Sequence, residues 1–306
     1  MDFALLAVQI LNGLDLGFIL FLVASGLTLV FGVMDFINLA HGVQYMLGAY
    51  FAAALIAWSG SFWLGLVLGA AASLAMGLVL EWTVFRHLAR AGHLEQVLAT
   101  FALILIFTDG VSMIFGAGAL SINLPASLAQ SVPLTHGFSY PLWRLIIIAA
   151  GLGVALLLWA LIAKTRLGML VRAGSTHPQT VQALGVDIDR LFLMVFAFGA
   201  MLAGFAGTMA GALTGVEPTM GDSVLILAFV VIVVGGVGSV RGALIAALLI
   251  GLVDTLGRAF ATDIMGLFLS RSSAASAGPA LASMLIYVLM ALVLAVRPSG
   301  LFASGD

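Results

Sequence analysis

The sequence predicts an all-α, polytopic bundle of transmembrane helices, about 8–10 spans in a single domain over residues 1–306. Three observations predict it. Charged residues make up 8% of the chain, against about 25% in an average soluble domain, while hydrophobic residues reach 63%. Apolar runs near the length of a bilayer crossing recur from end to end. The alternation of an outer-membrane barrel, apolar and polar residues in segments of about ten, is missing. With a mean hydropathy of +1.25 there is too little polar surface to clothe a water-soluble globule. That excludes a soluble enzyme, a nucleic-acid binder and a disordered scaffold.

The candidate spans are residues 3–33, 39–57, 62–85, 94–115, 142–163, 191–213, 224–234 with a Gly-rich continuation, 243–256 and 281–296. The first is long enough to hide a break, which leaves the side of the N-terminus open. Its opening residues, Met1 to Ala4, lack the positive charge of a secretory signal, so it reads as a span that stays. Basic residues orient the stack. With alternating segments, Arg86, Arg90, Lys164, Arg166, Arg172, Arg190, Arg241 and Arg297 fall on one side, leaving only Arg144, Arg258 and Arg271 opposite. The richer side is expected to be cytoplasmic, and with it the C-terminus. Trp58, Trp63 and Trp143 then lie at outer ends and Trp82 and Trp159 at inner ends, where interfacial aromatics belong. The stretch 271–278, rich in Ser and Ala, has no assignment.

Polar groups at membrane depth are costly, so each is a functional candidate. Asn38 and His41 stand three residues apart on one helix face and either line a path or cap a packed helix. Asp15, Asp109 and Asp254 are expected to be partnered on packed helices or to stand at headgroup level. Gly235, Gly236, Gly238 and Gly242 fall within eight residues, which is incompatible with a stable lipid-exposed helix. They make either a tight inner turn or a broken span lining the path, which adds Gly235, Gly236 and Gly238 to the path candidates. Neither the dinucleotide glycine pattern nor the phosphate-binding loop can be written there. The spacings Gly65/Gly69, Gly207/Gly211 and Gly211/Gly215 argue for close helix packing.

The chain has no cysteine, which removes disulfides, thiol nucleophiles and Cys-ligated metals. His87, His93, His136 and His177 lack a metal-ligating neighbour four residues on, so no metal, cofactor or catalytic residue is expected. In the charged loop 164–190, Pro178 can open a short helix over 179–184 with Gly185 as its C-cap. Val181 and Leu184 fall on one side of it, an apolar edge for a partner's groove or part of a plain solvated loop. The outer turn 214–222 carries Glu217 and Asp222.

Taken together, residues 26–32, 37–42, 46–50, 172–173 with 183–186, and 235–239 with 242–243 resemble the membrane-spanning permease subunits of the branched-chain amino acid ABC importers. The resemblance covers nearly the whole chain and is least convincing from about Thr262 onward. It implies a bacterial inner-membrane importer with a second permease subunit, two cytoplasmic ATPase subunits and an extracytoplasmic substrate-binding protein, and no nucleic acid. ATP hydrolysis belongs to the separate subunits. Carried onto this sequence, the ATPase-coupling loop is Arg172, Ala173, Ala183, Leu184 and Gly185. Glu217 and Asp222 would receive the binding protein, or are plain turn residues. The implied substrate is a branched-chain or related amino acid, with amides and urea not distinguished from it. The rival reading is a stand-alone channel or an ion-coupled secondary transporter for a small polar solute, which would use Asp109 or Asp254.

Overall fold

The computed structural model describes residues 3–302 apart from Arg90, His136, Gly137 and His177. Nine long helices dominate: α1 (Phe3–Met34), α2 (His41–Ser59), α3 (Phe62–Leu80), α5 (His93–Phe115), α6 (Leu142–Lys164), α9 (Ile188–Thr214), α10 (Met220–Gly235), α11 (Val240–Gly266) and α12 (Arg271–Val296). Beyond α3 the chain passes through a π-helical turn, Glu81–Phe85, into a last short turn, α4 (Arg86–Leu88). Two short helices, α7 (Arg166–Thr176) and α8 (Pro178–Ala183), interrupt the charged loop. A two-stranded hairpin, β1 (Ser131–Thr135) and β2 (Phe138–Pro141), folds the outer loop back, with Val132 opposite Tyr140.

Seven of these helices are long and apolar enough to cross a membrane by themselves. The other two explain the architecture. α2 carries His41 and Gln44 and is buried along its first half, because protein rather than lipid surrounds it. α10, of 16 residues, is about 24 Å long, short of a full crossing.

Sequence-readable caps start several helices. Side chains of Ser61, Asp187, Ser239 and Ser270 accept the N–H groups of Leu64, Arg190, Gly242 and Ser273, satisfying donors that a helix start leaves orphaned. The Ser270 cap explains the unassigned 271–278 stretch. It is the first two turns of α12, where Gly278 sits against Thr262 of α11. α12 therefore begins ten residues before the apolar run, and α11 extends ten residues past the sequence estimate; the two extensions pack through Gly278 and Thr262, while Ser272, Ser273, Ser276 and Asp263 stay exposed.

The loops sort to two ends. At one, the rings of Phe36 and Phe85 meet edge to face at 5.3 Å, Gly32 abuts Gly238, and the N–H groups of Leu301 and Phe302 donate to the carbonyls of Val234 and Gly235. At the other, Leu120 pairs with Val216 and the Tyr140 hydroxyl donates to Asn12 at 3.0 Å. The arrangement agrees with the expected alternation.

One expectation, on Trp143, needs correction, and two open readings resolve. The glycine run does not break a span: residues 236–239 form the turn between α10 and α11, with positive φ at Gly236 and Gly238. Trp143 is not an interfacial ring. It is 1% exposed, stacks edge to face on Phe62 and donates its indole N–H to the Met209 carbonyl; Trp58, Trp63, Trp82 and Trp159 are exposed. Of the three aspartates, Asp15 pairs with Arg144 at 3.3 Å and Asp254 with Arg258 at 2.9 Å, whereas Asp109 is exposed on α5 and forms no ion pair among the described residues.

Candidate functional site

The interior of the bundle is organised around the start of α2. After α1 ends at Met34, residues 35–40 turn back along it, so that His41 Nε2 lies 3.0 Å from the carbonyl of Val23. A carbonyl only accepts, so Nε2 carries the proton and donates. Val23 lies eight residues below Asp15, at the outer polar end of α1, and eleven above Met34. At 1.5 Å per residue, His41 is about 12 Å from one level and about 16 Å from the other. α2 thus begins at mid-depth. Asn38, on the returning segment, is fully buried, and neither atom of its amide has a partner among the described residues. Non-helical backbone and orphan polar groups at this depth are tolerated only inside protein or beside water.

α10 begins at the same depth. Gly42 and Gly221 face one another so closely that a Cβ on either would fall on the other's backbone. Two helix starts therefore cross in the middle of the bundle, α2 running outward and α10 inward. Neither is capped by a side chain. Gly221 and Leu225 turn toward α2, while Asp222, Ser223 and Ile226 are exposed on the opposite side of α10.

The turn that carries Glu217 lies at the outer level of the bundle, below the projecting end of α2. Gly211 of α9 lies against both Val216 and Ala49 of α2, which sets the turn level with Ala49 and Tyr50. Nine more residues of α2, about 13 Å, rise above it to Ser59. Residues 116–122 lie over the turn through the Leu120–Val216 bridge. Asp222 thus sits on an open face at mid-depth, a placement the sequence gives no sign of, because it depends on the Gly42–Gly221 crossing; Glu217 lies about 10 Å nearer the outer end. Gly235, Gly236 and Gly238 lie apart from this centre, at the inner end; Gly236 packs against the C-terminal residues Ser299 and Phe302.

At the inner end, α7 and α8 form the expected loop. Leu184, Gly185 and Val186 donate back to Thr180, Gln182 and Val181, and Gly185 takes φ +89°, the left-handed closure that glycine permits without strain. The apolar edge divides, however. Val181 is buried and anchors the loop, whereas Leu184 is 80% exposed and projects alone beside exposed Ala183 and Gly185. Arg172, on α7, reaches back to the Ile162 carbonyl at the end of α6, and Ala173 is half-buried. Among the described residues no three His, Asp or Glu side chains group as a metal site would require.

Residues 9–294 match the family described as "Branched-chain amino acid transport system / permease component". The chain belongs to this permease family. It is 28% identical to the high-affinity branched-chain amino acid transport system permease protein BraD of Pseudomonas aeruginosa, over 96% of this chain and 94% of the relative. It is 27% identical to LivH of Escherichia coli, over 82% and 86%, and 29% identical to the probable LivH of Methanocaldococcus jannaschii, over 78% and 76%. No solved structure matches the chain. Membership accounts for the multi-pass helical bundle: this is a permease component of a transport system, not an enzyme.

Proposed function

We propose that this permease is one membrane half of an ATP-driven importer for branched-chain or related amino acids, and that its path runs along the open face of α10. The observation that carries the reading is Asp222, exposed at mid-depth beside the Gly42–Gly221 crossing. A carboxylate facing lipid there is prohibitively costly, so the face must be covered by a second permease chain and by water along the path. Asn38 and His41 lie behind it and hold the start of α2 in place. Glu217 and Asp222 belong to the path wall in this reading, and the exposed outer loop 116–130 receives the substrate-binding protein.

The basic end, with Lys164, Arg166, Arg172, Arg190, Arg241 and Arg297, faces the cytoplasm of a bacterial inner membrane by the positive-inside rule, and the C-terminus lies with it. There Leu184, with Ala183 and Gly185, enters a groove of an ATPase subunit, which hydrolyses the ATP. Arg172 and Ala173 brace α7 behind it. α9 starts three residues after Gly185, and its Phe196 packs on Phe85 at 4.4 Å, which in turn meets Phe36. Movement of the docked loop is thereby passed to the segment that carries Asn38. Nucleotide binding shifts the two states only by its differential affinity for them.

The test is uptake of labelled leucine, isoleucine and valine by cells lacking the gene, with and without the restored chain. Uptake lost and regained supports the reading; uptake indifferent to the chain overturns it.

A further inference from the structure

Beyond α3, the turn Glu81–Phe85 takes in one extra residue as a π-turn, and one pair of residues closes it twice. The Arg86 N–H donates to the Glu81 carbonyl, and the Arg86 guanidinium donates to the Glu81 carboxylate at 3.3 Å. Residues five apart stand about 140° apart around an α-helix, so this pair meets only because the π-turn brings one over the other. Glu81 is 1% exposed, and a carboxylate so buried needs its partner.

The turn decides which side chain faces α9. Ser73 packs against Gly204, and Gly77 against Ala197 and Ala200, which sets the α9-facing stripe of α3. Continued at the α-helical period, that stripe would run on through Val84. The extra residue puts Phe85 there instead: Phe85 is fully buried, while Val84 is half-buried. The Phe85 ring lies against Phe196 of α9 at 4.4 Å and against Phe36 at 5.3 Å. Gln96 of α5 fastens the next residue. Its Oε1 accepts from the Ile37 N–H at 3.5 Å, and its Nε2 donates to the Leu88 and Ala91 carbonyls at 3.3 and 3.2 Å. Phe36 and Ile37 belong to the returning segment that carries Asn38, so a ring placed by the π-turn bridges α9 to that segment.

We infer that Glu81 and Arg86 are positioning residues of the coupling route. They hold the π-turn closed, and movement of the docked loop and α9 reaches the Asn38 segment only while that turn keeps Phe85 in place. The inference rests on the permease reading above.

The test is the amount of L-leucine taken up per ATP hydrolysed by the complete transporter reconstituted in vesicles. Glu81→Gln and Arg86→Gln are expected to lower that ratio by about tenfold at unchanged protein yield and ATPase content, whereas Arg86→Lys should keep most of it. Deletion of the exposed Thr83 removes the extra residue, lets the helix run on as an α-helix and should lower the ratio as far. Phe85→Ala should lower it too, and adding Glu81→Gln should lower it no further, because both act through one contact. A ratio unmoved by Glu81→Gln or by the Thr83 deletion, or losses that multiply in the double variant, would overturn the inference. So would a fall in protein yield that accounts for the whole loss, since the turn would then be structural alone. Leucine uptake that does not depend on the chain defeats the permease reading itself; chain-dependent uptake with an unmoved ratio defeats only this inference.

Discussion

Gly42 of α2 and Gly221 of α10 touch backbone to backbone at the middle of the bundle, and each occupies the space where the other's side chain would begin. The contact holds two uncapped helix starts together and fixes the depth of Asp222. Gly42→Val or Gly221→Val must push the helices apart, at a cost of about 1–3 kcal/mol for overpacking. Thermal unfolding of the detergent-solubilised protein should show this loss. Gly153→Ala on α6, where a Cβ meets nothing within 4 Å, should be neutral or slightly stabilising.

Val181 on α8 and Leu184 just past its end have opposite fates. Leu184→Asp changes an exposed knob, so it should leave stability within about 0.5 kcal/mol while weakening ATPase association. Val181→Asp buries a charge and should destabilise the chain outright. Ala183→Glu should insert normally yet uncouple ATP hydrolysis from uptake. ATPase assays on the reconstituted complex, run beside melting curves, separate the three.

Arg144 is the counter-ion of buried Asp15, and its Nη1 also donates to Asn12 at 2.9 Å. Tyr140 donates to the same Asn12 oxygen. Burial, reinforced by the Asp15 carboxylate, pushes the Tyr140 phenol up to about 12, so it remains a donor at any physiological pH. Arg144→Met leaves Asp15 unpaired and should cost less than the ~3–5 kcal/mol of a fully buried pair, because Arg144 is 34% exposed. Adding Asp15→Asn should recover part of that loss. Tyr140→Phe should cost about 0.5–1.5 kcal/mol. Chemical or thermal unfolding of these three variants beside the unaltered chain checks this.

Asp109 and Asp254 test the ion-coupled alternative. Asp254 already lies in a two-pronged contact with Arg258, 2.9 Å to each oxygen. Asp109→Asn and Asp254→Asn should therefore retain leucine uptake, with any loss in Asp254→Asn tracking protein yield. Abolished uptake at normal yield would point to a coupling carboxylate.

Much of the fold was legible because apolar run length decides it: each of the nine expected segments corresponds to a helix. What failed were ends and depths. The start of α12 was hidden because its polar first turns rest on the Ser270 cap and on the Gly278–Thr262 contact, which local hydropathy does not register. Trp143 was misplaced because an indole near a helix start reads as interfacial unless Phe62 and Met209 are known to cover it. The α8 turn was readable from Pro178 and Gly185, since both act through local backbone geometry. Its apolar edge was not, as only tertiary packing separates Val181 from Leu184. Asn38 and His41 were found by their cost at membrane depth. Asp222 looked like part of the outer turn that carries Glu217, because nothing local reveals that Gly42 draws Gly221 to mid-depth.

The most direct test of the central claim is mild-detergent purification of this chain from its native membrane, with the bound proteins identified by mass spectrometry. The account predicts a second permease chain together with ATPase subunits, and loss of the ATPase subunits alone in the Leu184→Asp variant. Recovery of the chain by itself, or with the ATPase retained in full by that variant, would contradict it.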